Sequence, residues 1–192
     1  MRMICAYKLI ITWHRSLVIL IFQASPYYDS IMQAKKFMVG DIQKSIDLEP
    51  KGAPNILVAL GLSCYTEYWG KLLLGLPKEN SKRCYEEFLK CLGDSYNPNP
   101  YQVLLNKEVP IYEDVRCGLV HAYTVSRDCT VHLGEGAFGI CYDEIRDHYD
   151  FNIKTYFREF KYAVDAYIEG LNNGTKSILK MNNAIRNKPL IQ

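Results

Sequence analysis

The chain has 192 residues, 48% of them hydrophobic and 23% charged, with a formal net charge of +2. A chain of this length forms one domain and buries roughly 70% of the surface that it exposes when unfolded. This composition excludes an intrinsically disordered or low-complexity chain, and the near-zero charge gives no global reason to bind nucleic acid or a membrane surface.

The first 25 residues are predicted to be an apolar N-terminal extension. Residues 9–22 are apolar, but a His-Arg pair at 14–15 interrupts them and the longest clean run, 17–22, covers six residues. A membrane-spanning helix needs about 20. A signal peptide is a weaker alternative, because the charged pair interrupts the apolar run and no small-residue cleavage site follows. The segment is therefore an extra helix or strand, or an extension outside a domain that starts near Met32. A membrane anchor at residues 9–22 is a lesser alternative.

Helical spacing of apolar residues begins at Ser25, a helix N-cap followed by Pro26 at the first helical position. Up to Leu48 the apolar residues recur at intervals of three and four, namely Ile31, Ala34, Met38, Ile42 and Ile46. Prolines and a glycine between residues 50 and 54 end this helix. A second helix, residues 56–74, is almost continuously hydrophobic, which predicts a central, buried position.

Further helical patterns follow along the chain. A third helix is predicted from Asn80 or Ser81 to Gly93, with Ser81 as its cap and the glycine ending it. A short helix is predicted at residues 101–106. Pro110 opens another helix that continues to about Tyr123.

The pattern changes after Ser126 to two short β-prone runs, residues 129–133 and 138–142, separated by a Gly-Glu-Gly-Ala sequence. This predicts a β-hairpin inserted between helices. The helical period returns from Phe151 to Leu171. The predicted fold class is therefore all-α, a four- to five-helix bundle with a small β-hairpin near 129–142.

The predicted domain organisation has three parts. Residues 1–25 are the N-terminal extension, residues 26–175 the helical domain and residues 176–192 a basic C-terminal segment. Seven cysteines, an odd number with no Cys-x-x-Cys pair, argue against a disulfide framework or a zinc site. They predict reduced thiols in a cytoplasmic protein, with no cofactor and no metal ion.

One glycine motif, Gly134-Glu-Gly-Ala-Phe-Gly139, fits the Gly-x-Gly-x-x-Gly pattern and resembles the phosphate-binding loop of a protein kinase. The chain has none of the other kinase motifs downstream, and no helix opens on the glycines as a dinucleotide site requires. We therefore interpret these glycines as residues that permit a tight hairpin turn.

A second motif, Arg116-x4-His121, lies on the helix that Pro110 opens. His can transfer a proton near neutral pH, and Arg can hold a phosphate and offset its developing charge, so the pair suits RNA cleavage without a metal. On a straight helix the two residues lie about 140° apart, so convergence needs an irregular helix at Gly118, a bent Arg side chain or a partner helix. The spacing alone favours the ordinary alternative, a solvated Arg and a His bonded to a backbone carbonyl.

The phrase Tyr112-Glu-Asp-Val-Arg-Cys-Gly-Leu-Val-His-Ala-Tyr123 resembles the Arg-x4-6-His signature of the HEPN superfamily, and the helix at residues 56–68 resembles an early helix of the HEPN bundle. The likeness covers roughly residues 27–175. It implies a helical bundle that forms a homodimer with both Arg–His pairs facing one cleft. Many members are metal-independent endoribonucleases that serve as toxins or antiviral effectors.

The resemblance also assigns residue roles. Arg116 and His121 correspond to the catalytic pair, and Tyr123 matches the tyrosine that, in some toxin–antitoxin pairs, accepts AMP from a cognate nucleotidyltransferase antitoxin. Cys117 departs from the Asn, Asp or His that commonly follows the Arg, and a thiol is a weak donor. This departure favours an alternative: a non-catalytic HEPN-like module that binds nucleotides or proteins.

Charge is unevenly distributed along the C-terminal half. Residues 111–150 contain 3 basic and 8 acidic residues, whereas residues 151–192 contain 7 basic and 3 acidic. An RNA substrate would therefore have to be held by the C-terminal helix and tail, with candidate contacts at Lys154, Arg158, Lys161, Lys176 and Lys180, or by a second protomer. Neither DNA nor a membrane is an expected partner. A second Arg-x4-His, Arg127 to His132, falls where a helix gives way to a strand and is interpreted as coincidence.

Overall fold

A computed structural model describes residues 18–48, 55–75, 80–93, 96, 112–119, 129–143, 145–146 and 148–186. Over these residues the chain is mostly helical, with one three-stranded mixed sheet. After a helical turn at residues 18–23, the elements are α1 (Tyr28–Ile46), α2 (Asn55–Leu74), α3 (Ser81–Leu89), a π-helix (Tyr112–Cys117), β1 (Cys129–His132), β2 (Ile140–Asp143), β3 (His148–Asn152), α4 (Ile153–Asn172) and α5 (Ile178–Arg186).

The predicted central helix is confirmed as α2, which contacts α1, α3, α4 and α5. Its Trp69 is fully buried. The indole stacks on Phe88 of α3, at 6.4 Å between ring centroids, and meets Tyr167 of α4 edge-on at 5.9 Å. Because α2 has neighbours on several sides, its apolar residues are spread around the helix and do not form a single stripe.

The spacing of the first helix is also confirmed, since all five apolar residues that define it are buried. Its predicted start is wrong, because the helix begins at Tyr28 with Tyr27 as its N-cap, so Ser25 is not the cap and Pro26 is not the first helical residue.

Helix α3 begins at Ser81, and its N-cap is therefore Asn80 and not the predicted Ser81. The Asn80 side chain accepts a hydrogen bond from the backbone N–H of Arg83 at 3.2 Å. An Asn side chain is among the best N-caps, and Asn tolerates the left-handed backbone found here, with φ of 75°.

Gly70 sets the distance between α2 and α3. A Cβ atom at this position would lie 1.8 Å from the backbone oxygen of Cys84. Only glycine therefore allows the two helix backbones to approach this closely. The close contact holds the polar residues of α2 near the start of α3, where Ser81 lies.

The predicted β-hairpin is wrong in its pairing. Both runs form strands, β1 and β2, but the strand order is β1-β3-β2. β3 lies between them, parallel to β1 and antiparallel to β2, with Val131 and Ile140 both opposite Phe151. Alternation of apolar and polar residues predicts a strand but does not predict which strand pairs with it. β3 was not predicted, because its buried Phe151 also fits the helical spacing that continues into α4.

Both ends of the described chain pack against the helical core. Phe22, in the turn at residues 18–23, is fully buried and meets the Tyr28 ring edge-on at 5.1 Å. α5, within the predicted basic C-terminal segment, contacts α2 and buries Met181, Ala184 and Ile185. None of the helices in the described ranges combines the length and hydropathy that spanning a bilayer requires. The helix predicted at residues 101–106 lies outside those ranges.

Candidate functional site

Arg116, the first residue of the Arg-x4-His motif, lies on the π-helix. The neighbouring Val115 and Leu119 are fully buried and fix this segment against the core. The guanidinium Nη2 of Arg116 lies 2.5 Å from Oε2 of Glu67 on α2. Only 5% of the Glu67 side chain and 17% of the Arg116 side chain is exposed, so this ion pair is largely shielded from water.

Glu67 also bonds a second cation. Its other oxygen, Oε1, lies 2.5 Å from Nζ of Lys71, one turn further along α2. Two cations thus share one carboxylate, and these three side chains together carry one unit of positive charge. We call Glu67, Lys71 and Arg116 the Arg116 cluster.

Several pKa values are shifted around this cluster. Burial alone raises the pKa of Glu67, but hydrogen bonds with Lys71 and Ser81, together with the charges of Lys71 and Arg116, outweigh it and hold the pKa below its ordinary value. Burial raises the pKa of the Cys64 thiol, and Arg116 opposes that effect. Because shifted ionisable groups concentrate at functional sites, this group is a candidate site.

The Arg116 guanidinium is held from two sides. Its Cζ lies 5.4 Å from the centre of the Tyr112 ring, a cation–π contact within the same π-helix. Its Nε is buried and has no hydrogen-bond acceptor among the described residues. Arg116 is thus oriented by Glu67 and Tyr112, and its Nε has no acceptor in the part of the chain that the structure describes.

The remaining motif residues, His121 and Tyr123, lie outside the described residues. An irregular helix at Gly118 was one of the three conditions under which Arg116 and His121 could converge. The observed irregularity occupies Tyr112–Cys117 instead, and residues 118–119 are α-helical. Cys117, the departure from the family signature, is the last residue of the π-helix and is half-buried.

Three of the five predicted RNA contacts, Lys154, Arg158 and Lys161, line one cavity of about 390 Å³, whereas Lys176 and Lys180 do not. The spacing of four and three residues places Lys154, Arg158 and Lys161 on one face of α4. The rest of the cavity wall is formed by Gln43, Ile46, Asp47, Glu135 and Phe157. We call this the α4 cavity. Arg116 is not among its lining residues, because that side chain is directed to Glu67.

A polar group on the outer face of the sheet was not predicted as a site. Asp150 Oδ1 lies 3.2 Å from Nε2 of His132 and 3.5 Å from Nε2 of His148, and His148 Nε2 lies 2.8 Å from the hydroxyl of Thr130. These residues alternate with half-buried ones along β1 and with buried ones along β3. The signal was therefore strand alternation, which identifies the group only once β1 and β3 are known to pair. His132 thus bonds a neighbouring strand, and Arg127 lies outside the described residues.

The glycine motif does not form the predicted hairpin turn. The backbone N–H of Gly136 donates to Oγ1 of Thr155 at 3.0 Å, and that of Gly139 donates to the Glu159 carboxylate at 3.2 Å. A Cβ on Gly139 would lie 2.6 Å from Cα of Tyr156. These glycines therefore let the loop lie against α4, and two of its N–H groups are occupied by α4 side chains instead of a phosphate.

Comparison of the chain with protein-family models, with curated proteins and with solved structures finds no match.

Proposed function

We propose that this protein is a HEPN-like endoribonuclease that cleaves RNA without a metal ion. The observation that carries the proposal is the Arg116 cluster. The motif arginine is oriented by a buried carboxylate, and the cluster retains a net positive charge that a phosphate can neutralise. π-Helices occur frequently at functional sites, which adds support.

In the proposed reaction His121 acts as general acid/base and Arg116 as the phosphate clamp. The 2′-hydroxyl of the ribose loses its proton and attacks the phosphorus atom, and the bond to the 5′-oxygen breaks as that oxygen gains a proton. The products are a 2′,3′-cyclic phosphate and a 5′-hydroxyl, so no metal, oxidant or water is consumed. Arg116 offsets the extra negative charge on the phosphoryl oxygens.

The proposal includes a homodimer with two motif copies in one cleft, a role as a toxin or antiviral effector, and Tyr123 as an AMP acceptor for a cognate nucleotidyltransferase. The α4 cavity supplies the cationic surface that RNA needs, since the segment that carries the motif is acidic.

The test compares purified wild-type protein with His121→Ala on structured and single-stranded RNA in the presence of EDTA. We expect the wild type to cleave and the variant to be slower by about 10²- to 10⁴-fold, the usual contribution of a general acid/base. His132→Ala is the matched control, because His132 bonds a strand partner on the sheet, and it should cleave normally. If the wild type and His121→Ala cleave RNA equally, or if neither cleaves it, the proposed endoribonuclease activity is rejected.

A second candidate is a non-catalytic HEPN-like module that binds nucleotides or a protein. Two observations favour it: Glu67 already occupies part of the Arg116 guanidinium, and Cys117 replaces the usual polar neighbour. Native mass spectrometry distinguishes the candidates further, since it reports both a dimer and any AMP adduct on Tyr123. Binding of RNA or nucleotide without any cleavage supports the module.

A further inference from the structure

The α4 cavity contains an ion pair between its wall and the glycine motif. Nη1 of Arg158 lies 3.2 Å from Oε2 of Glu135. Glu135 stands between Gly134 and Gly136, in the loop that Thr155 and Glu159 hold against α4. The loop therefore delivers one carboxylate to the mouth of a cavity that is otherwise rich in cations.

The position of this carboxylate depends on the glycines. A Cβ on Gly136 would lie 2.3 Å from Nδ2 of Asn152, the residue that precedes α4. The Asn152 side chain in turn donates to the backbone oxygen of Phe138 at 2.9 Å. The loop is thus fixed on the C-terminal side of Glu135, at Gly136, Phe138 and Gly139, next to the residue whose carboxylate reaches Arg158.

The ion pair itself is weak. About half of the Arg158 side chain and 65% of the Glu135 side chain is exposed, and water and salt screen exposed pairs. A ligand that offers two or three oxygens to the same guanidinium replaces such a carboxylate readily. Arg158 is therefore paired with Glu135, but weakly enough for an anionic ligand to replace that carboxylate.

The other cations of the cavity add to its attraction for an anion. Nζ of Lys161 lies 4.4 Å from the centre of the Phe157 ring, so Phe157 supports the ammonium beside the cavity. Lys154 lines the same wall one turn before Arg158. The cavity of about 390 Å³ lies in the size range of ligand sites, and three cations outnumber its two acids, Asp47 and Glu135.

We propose that the α4 cavity is a phosphate subsite for an RNA strand, in which a phosphate displaces Glu135 from Arg158. This inference rests on RNA as the ligand of the proposed function, and it adds where a phosphate binds and which residue competes with it. Glu135 lowers the affinity of the site, so weakly bound anions are rejected and a strand that also contacts Lys154 and Lys161 is retained.

The test measures binding of a fluorescent single-stranded RNA whose 2′-hydroxyls are methylated, so that cleavage cannot occur. Fluorescence anisotropy should show that Arg158→Gln weakens binding about tenfold, through loss of a charge-assisted contact. Glu135→Gln should tighten binding about three- to fivefold, the range that removal of a weak competing pair allows. Arg146→Gln is the matched control, because Arg146 forms a similar exposed pair with Asp143 outside the cavity.

Two further arms identify the source of the phosphate. Inorganic phosphate should compete with the RNA at lower concentration for Glu135→Gln than for the wild type. RNA with a 5′-phosphate and RNA with a 5′-hydroxyl should bind equally if the subsite takes a backbone phosphate, and the former should bind more tightly if it takes a terminal one.

The inference is overturned if Glu135→Gln leaves binding unchanged or weakens it, or if Arg158→Gln behaves like Arg146→Gln. These outcomes are separate from those of the cleavage test. If His121→Ala does not slow cleavage but Arg158→Gln and Glu135→Gln change RNA binding as expected, the nuclease is rejected and the phosphate subsite stands. If His121→Ala slows cleavage but Arg158→Gln and Glu135→Gln have no effect, the subsite is rejected and the nuclease stands.

Discussion

Replacing Gly70 by alanine tests the close contact between α2 and α3. Real Cβ atoms essentially never approach another atom closer than 3.0 Å, and the new Cβ would lie 1.8 Å from the Cys84 oxygen, so the helices must separate by at least ~1.2 Å. Over-packing of this kind costs about 1–3 kcal/mol. Because the clash is with the backbone of Cys84 and not with the flexible end of a side chain, the cost lies near the upper limit, about 3 kcal/mol. The helix propensity of alanine returns at most about 1 kcal/mol, which leaves a net loss of about 2 kcal/mol.

The matched control is Gly40→Ala, because Gly40 is also inside a helix, α1, and a Cβ there has no atom within 4 Å. This substitution should stabilise the protein by about 0.4–1 kcal/mol through helix propensity and the unfolded state. Thermal denaturation followed by circular dichroism checks both variants. For a chain of this size we expect Tm to fall by about 4–8 °C for Gly70→Ala and to rise by about 1–4 °C for Gly40→Ala.

A rise in Tm for Gly70→Ala similar to that of Gly40→Ala would refute this account of the helix contact. It would mean that the two helix backbones lie further apart than the structure shows. The position of Glu67 relative to Ser81 depends on the same contact, so the geometry of the Arg116 cluster would need revision with it.

The remaining predictions concern the polar contacts. Because the folded-state pKa of Glu67 is lowered, its contribution to stability is complete above the unfolded value of about 4.3 and is lost as pH falls through the folded value. The stability difference between wild type and Glu67→Gln in urea denaturation should therefore shrink on acidification, and a difference that grows would contradict the ion pair. Arg116→Met should destabilise the protein by about 1–2 kcal/mol, less than for a fully buried pair because Lys71 still compensates Glu67; equal stability in urea would show that the pair contributes nothing. Tyr96→Phe should cost about 1–3 kcal/mol, since the Tyr96 hydroxyl accepts from the N–H of Ile140 and donates to Glu159; an unchanged urea midpoint would show that water replaces both bonds.

The helices were predictable because each buries a face whose spacing is local. The five apolar residues of α1 are all buried, and the continuous apolar run of residues 56–74 is the central helix. The predicted helical class holds at the level of a mostly helical chain, while the bundle arrangement stays a prediction. The sheet could not be predicted, because β1 pairs with a strand about 20 residues away, and pairing depends on three-dimensional packing that alternation does not encode.

The candidate site was predictable in part. The sequence identified Arg116 as a special residue, and it identified the three cations that line the α4 cavity. It could not reveal Glu67, which lies almost 50 residues away and reads as one polar interruption of an apolar helix. The ion pair of Glu135 with Arg158 could not be predicted for a related reason. The glycine loop that carries Glu135 is held by α4 side chains, and those contacts form only when the chain folds.

The central position of β3 has a consequence for the order of folding. β1 and β2 contact β3 and not each other, and β3 continues directly into α4 at Asn152. During synthesis, β1 and β2 therefore cannot form the pairing seen among the described strands until the chain has been extended past residue 152. The helices α1 to α3 precede the sheet in the chain, so their contacts can form before β1 and β2 meet the strand that pairs with them in the folded protein.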